Sequence, residues 1–257
     1  MKNLCIIPAR GGSKRIPRKN IKPFMGKPIM AYSIEAALES GLFDEVMVST
    51  DDDEFAEVAR QYGASVPFLR SEATANDYAT TKDVLREVLH RYEERGEEFD
   101  RMACIYSTAP FITAKRLKEA YAKLDGCDCA YPVVQFSYPI QRCLVINDGL
   151  MTRKWPQYET SRSQDLEPTY HDAGQYYFYR VEPFLKGEKL AINGIVLSEL
   201  EVQDLDTETD WKLAEMKYRL IAENLTGGGK FKLRVQGIEI RVVLQPQATF
   251  KERRMAA

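Results

Sequence analysis

The chain has 257 residues, of which 44% are hydrophobic and 29% are charged, a composition typical of a globular protein. This length suits one large α/β domain or one domain with an appendage. The formal net charge of -2 gives no general attraction to nucleic acid or to a membrane surface, so any anion site has to be local.

Apolar stretches in the chain are short. The run at residues 4–8 is too brief for the apolar part of a secretion signal, and no stretch approaches the length that spans a bilayer. We therefore expect a cytoplasmic protein. The five cysteines have no zinc-type spacing and are interpreted as reduced core thiols, and two histidines exclude a multi-histidine metal site. Any metal would be held by carboxylates.

Strand-like apolar runs alternate with helical patterns in the first half of the chain, which is typical of βαβ units and a mainly parallel sheet. The pattern predicts strands at residues 4–7, 45–50, 102–106 and 129–134. It predicts helices at residues 28–40 and 113–124, a helix that ends before Gly63, and a helix that follows a cap at Asp77.

The regular alternation of strand and helix patterns ends in the second half of the chain. Residues 143–147 and 150–153 flank Asp148-Gly149, which predicts a small hairpin outside the main sheet. Further strands are predicted at residues 174–180 and 202–205, followed by a helix with Trp211 and Ala214 on one face. We expect a catalytic domain at residues 1–225 and, at residues 226–257, a glycine-rich linker with a basic extension of unassigned role that is able to form a hairpin.

A basic loop follows the first strand. Residues 8–22 contain six cations and no acid, and they leave the strand at the sheet edge where open α/β sheets bind ligands. Gly11 and Gly12 permit close backbone approach to phosphates, while Arg10, Lys14 and Lys19 supply charge-assisted donors. The loop matches neither the P-loop nor the dinucleotide fingerprint, which disfavours a P-loop ATPase and a dinucleotide dehydrogenase. A solvated basic loop is the alternative.

A pair of acids follows near residue 205. If residues 202–205 continue as a strand, Asp204 and Asp206 share one face, and two carboxylates suit Mg²⁺ together with phosphate oxygens and water. Asp206 or Thr207 equally suits the N-cap of the last helix. Residues 51–53 are rival ligands, with a helix start as their own alternative.

Residues 7–14 together with 19–21 resemble the signature of the CMP-sialic acid synthetase family of cytidylyltransferases. Further blocks at residues 48–51, 70–72, 77–81 and 204–207 are similar to family blocks and occur in family order, so the resemblance covers roughly residues 3–222. It implies a Rossmann-like three-layer α/β/α nucleotidyltransferase fold. It also implies a homodimer whose partner helps to close the sugar site.

The resemblance implies a role for each matching residue of the nucleotide site. CTP phosphates and ribose would be bound by Ala9, Arg10, Ser13, Lys14, Lys19 and Asn20, and cytidine would be surrounded by Arg70, Thr80 and Thr81. Asp204 and Asp206 would hold Mg²⁺. Arg10, Lys14 and Asp206 would be the catalytic residues, because catalysis of phosphoryl transfer consists mainly of positioning and charge neutralisation.

Two later blocks, residues 137–142 and 162–175, resemble the branch of the family that activates pseudaminic acid, for cell-surface or flagellar glycans. Legionaminic and sialic acids are the alternative substrates, and a non-catalytic nucleotide-binding protein is a remote one. The sialic acid branch commonly has Asn at the position of Ala173, and family members often have Gln at the position of Tyr106. The implied sugar contacts are Tyr106, Gln141, Arg142, Gln164, His171, Asp172 and Gln175. The general base stays open among Asp172, His171 and a metal-bound hydroxide.

Overall fold

The computed structural model describes residues 1–225, 230–235 and 238–243. The strands are β1 (Asn3–Pro8), β2 (Pro23–Phe24), β3 (Lys27–Pro28), β4 (Glu45–Ser49), β5 (Arg101–Ile105), β6 (Cys129–Gln135), β7 (Leu144–Asn147), β8 (Leu150–Arg153), β9 (Tyr170–Asp172), β10 (Tyr176–Arg180), β11 (Ile192–Leu197), β12 (Lys230–Val235) and β13 (Ile238–Val243). The α-helices are α1 (Ile29–Ser40), α2 (Asp53–Gln61), α3 (Glu72–Ala75), α4 (Thr81–Glu93), α5 (Ala114–Lys123), α6 (Val181–Lys186) and α7 (Glu208–Leu225). Short 3-10 helices lie at Lys19–Ile21, Ile140–Arg142, Pro156–Tyr158, Ser163–Asp165 and Glu199–Glu201. None of the helices within these ranges is long and apolar enough to cross a membrane.

A seven-stranded sheet organises the first part of the chain. Its order is β11-β6-β10-β5-β1-β4, and β9 pairs with β6 outside this order. The β1–β4, β1–β5 and β6–β11 pairs are parallel, whereas β10 runs antiparallel to both β5 and β6. The expected mainly parallel sheet is confirmed, with β10 inserted as a reversed strand and β9 added antiparallel to β6.

Helices cover both faces of this sheet, so the side chains of β1 are buried on both sides. Cys5 and Ile7 belong to a core shared with α1, α2 and α5, while Leu4 and Ile6 point the other way into a core shared with α4 and α6. Burial of a side chain of this size stabilises the fold by about 1.5–3 kcal/mol. The three-layer α/β/α fold is therefore confirmed.

The ends of β1, β4 and β5 are brought to one edge of the sheet by this parallel arrangement. Just after β1, the Ala9 N–H donates to the Ser49 carbonyl oxygen at 2.9 Å, across to the end of β4. On the other side, the Ser107 hydroxyl, two residues beyond β5, donates to the Pro8 carbonyl oxygen at 2.9 Å. The basic loop thus starts between two fixed strand ends.

The predicted hairpins are confirmed in their backbone. β7 and β8 pair antiparallel as a separate two-stranded sheet, and both turn residues, Asp148 and Gly149, have positive φ as a tight hairpin turn requires. β12 and β13 pair antiparallel near the end of the chain. The predicted glycine-rich linker at residues 226–229 lies outside the described residues.

The chain divides into two compact units, Met1–Ala214 and Glu215–Ala257. The first unit holds the seven-stranded sheet, and its last residues are the first half of α7, where Trp211 and Ala214 are buried as expected. Trp211 packs edge-on against Phe24 with ring centroids 5.6 Å apart. The expected division into residues 1–225 and 226–257 stays a prediction.

Two local predictions are wrong. The N-cap of α4 is Thr80 and not Asp77, because the Thr80 hydroxyl accepts from the Asp83 N–H while the Asp83 carboxylate accepts from the Thr80 N–H. No strand forms at residues 202–205, between β11 and α7. Side chain and backbone contacts hold that segment instead, with Leu205 buried and the Glu201 carbonyl oxygen bound by the Gln175 amide.

Strands β9 and β11 were not predicted. β11 contains Asn193-Gly194, a dipeptide that disfavours strands, and it lies at the sheet edge, where four of its six residues are exposed. A side chain at Gly194 would contact Val133 of β6 at 3.4 Å. Its strand conformation comes from pairing with β6, which is a tertiary contact.

Thr80→Ala should lower the free energy of unfolding by about 1 kcal/mol, because the capping hydroxyl of α4 is lost. Thr80→Ser keeps the hydroxyl and should match the parent chain. Urea unfolding followed by circular dichroism measures both. Thr113→Ala, which removes the hydroxyl that accepts from the Arg116 N–H at the start of α5, provides a matched comparison. An unchanged midpoint in Thr80→Ala would contradict the assigned cap.

Candidate functional site

A cavity of about 570 Å³ lies beside the basic loop at the sheet edge where β1 and β5 end. Its lining includes five cations, Arg10, Lys14, Arg15, Lys19 and Arg70. It also includes the hydroxyl-bearing side chains Ser13, Thr74, Thr81, Tyr106, Ser107 and Thr108. The loop after β1, the segment before α4 and the residues after β5 all contribute, so the fold collects cations and donors around one concave space.

The cations of the basic loop are paired with acids from elsewhere in the chain. Asp77 binds Arg10 at 2.8 Å and Lys14 at 2.5 Å, and Asp206 binds Arg15 at 2.6 Å. Arg18 binds Asp52 and Glu54, and Lys22 binds Glu208. Carboxylates remote in the sequence therefore compensate part of the charge of the basic loop.

Lys19 has a different environment from the other loop cations. Its Nζ donates to the Leu205 carbonyl oxygen at 2.6 Å, which joins the loop to the segment that carries the acid pair. Burial lowers the pKa of Lys19, and the carboxylates of Asp206 and Asp204 oppose this effect. The nearby acids therefore help to keep a partly buried lysine charged.

Gly11 packs closely against Asp52, the residue that caps α2. A Cβ at Gly11 would lie 3.1 Å from Asp52 Oδ2, while the Gly11 N–H donates to Asp51 Oδ1 at 2.9 Å. Asp52 caps α2 by accepting from the backbone N–H groups of Glu54 and Phe55. The helix-start interpretation of residues 51–53 is supported, and Asp52 is committed to the cap and to Arg18.

A buried amide and a buried hydroxyl fix the start of the loop. Asn20 is 7% exposed, and its Nδ2 donates to the Arg10 carbonyl oxygen at 2.9 Å. Asn20 Oδ1 lies 2.9 Å from the hydroxyl of Ser107, which is 4% exposed. The amide of Asn20 is therefore used in holding Arg10, and Ser107 acts with it. Sequence reasoning gave Ser107 no role, although its position just after a buried strand was the available signal.

The remaining residues expected at the nucleotide site divide between the cavity and its surroundings. Arg70 lines the cavity and is anchored through Nε to Ser49 Oγ at 3.1 Å and through Nη2 to the Ser49 carbonyl oxygen at 2.7 Å. Ser13 and Thr81 also line it. Ala9 is buried in the core and Thr80 caps α4, so neither belongs to the lining.

Asp204 and Asp206 lie on an irregular segment and not on the strand that was expected. Thr207 caps α7, since its hydroxyl accepts from the Asp210 N–H and its own N–H donates to the Asp210 carboxylate. Asp204 is exposed and has no hydrogen bond or ion pair through its carboxylate with the described residues. Both carboxylates are therefore available outside the helix cap.

These two carboxylates suit a divalent cation as a partial ligand set. Mg²⁺ prefers one or two carboxylates completed by water and phosphate oxygens. Within the described residues, no group of three or more His, Cys, Asp or Glu side chains could hold a metal. The Asp204–Asp206 pair would therefore need phosphate oxygens, and Arg15 and Lys19 tie this segment to the cationic cavity.

Tyr106 connects the cavity to Asp172 of β9. The Tyr106 hydroxyl lies 3.4 Å from Thr81 Oγ1, and its ring packs on that of Tyr177 with centroids 5.7 Å apart. The Tyr177 hydroxyl donates to Asp172 Oδ2 at 2.7 Å, and the Gly174 N–H donates to Oδ1 at 2.7 Å. Burial and the Asp172 carboxylate raise the pKa of Tyr177, so this hydroxyl stays a donor. The sequence analysis assigned Tyr177 no role at the site and so missed this contact.

The other residues expected to contact a sugar lie outside the cavity lining. Gln141 donates to the Glu167 carbonyl oxygen at 2.9 Å, Arg142 Nη1 donates to Ser163 Oγ at 3.4 Å, and Gln164 is exposed in the 3-10 helix Ser163–Asp165. His171 is exposed beside Phe136, with ring centroids 5.0 Å apart. Gln175 is 4% exposed and donates to the Glu201 carbonyl oxygen at 2.6 Å. The structure groups the first three near β7 and β8, and it makes Gln175 a buried anchor.

A larger cavity, of about 800 Å³, lies at the other edge of the sheet, where β5 begins and β10 ends. Asp100 and Arg101 line it from β5 and its preceding loop, and Arg180 lines it from β10. Neither the basic loop nor the acid pair contributes to this lining. The smaller cavity therefore holds the chemistry that the sequence predicts.

Comparison with known proteins gives the same family. A family profile described as cytidylyltransferase matches residues 4–208. The pseudaminic acid cytidylyltransferase of Campylobacter jejuni is 42% identical over 87% of this chain and 99% of its own length. The CMP-N,N'-diacetyllegionaminic acid synthase of Legionella pneumophila is 32% identical over 88% of this chain and 100% of its own length. A solved CMP:2-keto-3-deoxy-manno-octonic acid synthetase complexed with CTP shares the fold, with a TM-score of 0.62, 20% identity, and coverage of 87% of this chain and 100% of that one.

Ser107→Ala should lower the free energy of unfolding by about 1–3 kcal/mol, because buried acceptors on Asn20 and Pro8 lose their donor. Amide hydrogen exchange at residues 9–13 should become faster. Ser40→Ala is the matched control, since it removes a buried hydroxyl bonded to the Ala37 carbonyl oxygen in α1. That control should lose stability without faster exchange in the loop. Equal exchange in both variants would show that Ser107 does not hold the loop.

Proposed function

Because the chain belongs to the cytidylyltransferase family, we propose that it transfers the CMP group of CTP to pseudaminic acid and releases pyrophosphate. The chain is thus a nucleotidyltransferase. The observation that carries the proposal is the cavity beside the basic loop, where five cations and several hydroxyl groups surround a space at the ends of β1 and β5. A triphosphate needs such a concentration of positive charge and donors.

The reaction is an in-line substitution at phosphorus. The anomeric 2-hydroxyl of the sugar acid attacks the α-phosphorus of CTP, the bond from that phosphorus to the bridging oxygen breaks, and the hydroxyl proton is lost. Arg10, Lys14 and Lys19 are proposed to bind the phosphates and to neutralise charge that moves onto the leaving pyrophosphate. Arg70 and Thr81, which also line the cavity, are proposed to contact cytidine.

A divalent cation, Mg²⁺, belongs to the same proposal. Asp204 and Asp206 would hold it, and when bound it supplies Lewis-acid charge stabilisation to phosphate oxygens. The ion pair from Asp206 to Arg15, which lines the cavity, supports a place for this pair beside the phosphates. The contact from Lys19 to Leu205 keeps the two acids close to the basic loop.

The sugar acid is proposed to bind on the β9 side of the cavity, past Tyr106. Asp172 is oriented there by Tyr177 and Gly174 and is proposed to accept the hydroxyl proton, whereas its neighbour on β9, His171, packs beside Phe136. Gln141, Arg142 and Gln164 are proposed to approach the sugar from the segment around β7 and β8. The higher identity to the pseudaminic acid enzyme than to the legionaminic acid enzyme supports pseudaminic acid as the substrate.

A homodimer is also part of the proposal, and its support is the apolar surface of the β7–β8 hairpin. Leu144, Ile146 and Met151, which the strand register places on one face of the hairpin, are 52–69% exposed there. Contiguous exposed apolar side chains of this kind mark interaction surfaces. A second copy that covers this hairpin would lie near the segment that holds Gln141, Arg142 and Gln164.

Pyrophosphate release from CTP tests the proposal when it is measured with a panel of pseudaminic, legionaminic and sialic acids. We expect the highest kcat/KM with pseudaminic acid. Lys14→Ala should lower kcat/KM by about 100-fold, because one phosphate-directed charge is lost. Lys186→Ala, at an exposed lysine that pairs with Glu182 in α6, should match the parent enzyme. Near-parent turnover by Lys14→Ala would defeat the phosphate-binding assignment, and CTP binding without pyrophosphate release for any sugar acid would favour a non-catalytic nucleotide-binding protein.

Asp206→Asn should raise the Mg²⁺ concentration at half-maximal rate at least about tenfold or abolish activity, because the amide is a poorer ligand for a hard cation. Glu208, two residues after Asp206, binds Lys22. Glu208→Gln removes this carboxylate and should leave the Mg²⁺ dependence unchanged. Rates measured across a Mg²⁺ titration compare the two variants. Parent-like metal dependence in Asp206→Asn would show that Asp206 does not hold the metal.

A further inference from the structure

One acid faces the cations of the cavity from within its own lining. Among the described residues that form this lining, Asp77 is the acid beside five cations. Its carboxylate lies 2.8 Å from Arg10 Nη1 and 2.5 Å from Lys14 Nζ. Both cations belong to the basic loop that is proposed to bind phosphates. Asp77 therefore makes the contacts that a phosphate oxygen would make.

Backbone geometry holds Asp77 in this place. The preceding residue, Asn76, forms a tight turn in which its Oδ1 accepts from the N–H groups of Tyr78 at 2.8 Å and Ala79 at 3.0 Å. The Asn76 carbonyl oxygen also accepts from Arg10 Nη1 at 3.0 Å. The turn thus presents the Asp77 carboxylate to Arg10 and Lys14.

The Asp77 carboxylate is charged when it makes these contacts. Hydrogen bonds from Lys14 and Arg10 lower the pKa of Asp77 below its ordinary value, which keeps the group ionised at neutral pH. The side chain of Asp77 is 44% exposed and that of Lys14 is 80% exposed, so water screens the pair. Exposed ion pairs are weak, and a multiply charged phosphate can replace one of their members.

We propose that Asp77 is a built-in competitor of the nucleotide phosphates for Arg10 and Lys14. This inference rests on the proposed function, because the competing ligand is the triphosphate of CTP. When CTP binds, the Asp77 carboxylate has to give up both cations. When pyrophosphate leaves, Asp77 takes them back, so the same acid weakens the binding of substrate and product phosphates. It limits affinity and favours turnover.

Direct binding measurements on the full chain test this inference. Isothermal titration with CTP and, separately, with inorganic pyrophosphate would compare the parent chain with Asp77→Asn. Because the amide carries no charge, we expect Asp77→Asn to lower the dissociation constants of both ligands about two- to tenfold. This range follows from the strength of exposed ion pairs. Unchanged or weaker binding in Asp77→Asn would overturn the inference, since a ligand-binding or loop-positioning role for Asp77 predicts a loss.

Two further variants separate competition from other effects. Asp77→Glu keeps the charge and should stay within about twofold of the parent chain. Glu54→Gln removes a carboxylate that binds Arg18, a loop cation outside the cavity lining, and should leave both affinities unchanged. Equal tightening in Glu54→Gln would show a general charge effect and contradict a specific role for Asp77. Thermal unfolding of each variant checks that the fold is retained.

The outcomes distinguish the inference from the function on which it rests. If the parent chain binds CTP and releases pyrophosphate with a sugar acid but Asp77→Asn shows no tightening, the inference fails alone. If the parent chain does not bind CTP, the proposed function fails, and the competition with CTP fails with it.

Discussion

The geometry of the whole cavity depends on one buried hydrogen-bonded pair, Asn20 and Ser107. Ser107 follows β5, Asn20 lies in the 3-10 helix within the basic loop, and the two together hold the carbonyl oxygens of Arg10 and Pro8. A polar group buried without a partner costs about 1–3 kcal/mol, so each of these groups requires the other. Because β1 and β5 are neighbours in a parallel sheet, the pair fixes a charged loop to the rigid core at its first residue.

The cations of the basic loop are compensated by acids, but only through weak ion pairs. Each cation of the loop except Lys19 has an acid partner from another part of the chain, and most of these pairs are substantially exposed. Exposed pairs contribute at most about 1 kcal/mol each. The fold can therefore tolerate a dense group of cations in the absence of phosphates and still release them to a ligand.

The reversed strand β10 couples two parts of the site. Tyr177 reaches toward Asp172 on one face, while the buried amide of Gln175, just before the strand, holds the Glu201 carbonyl oxygen ahead of the acid pair. Tyr106 packs between Tyr177 and the cavity, at the position where relatives were expected to have Gln. Tyr177 and Gln175, two residues apart at the start of β10, therefore connect the cavity beside Tyr106, the segment before the acid pair and β9.

The sequence by itself determined the alternation of strands and helices, the family, the β7–β8 hairpin and the cation-rich loop, because each rests on local spacing or on motifs. The Arg10, Lys14 and Lys19 side chains were predicted at one site, and the fold places them around one cavity. Only the tertiary structure decided what those side chains contact. Asp77 was expected to cap a helix and instead binds Arg10 and Lys14, and Ser107 had no expected role. Strand β11 and the irregular segment at residues 202–205 depend on pairing with β6 and on contacts from Gln175 and Lys19. Such contacts join residues more than 20 positions apart, so a pattern within a short stretch of sequence cannot predict them.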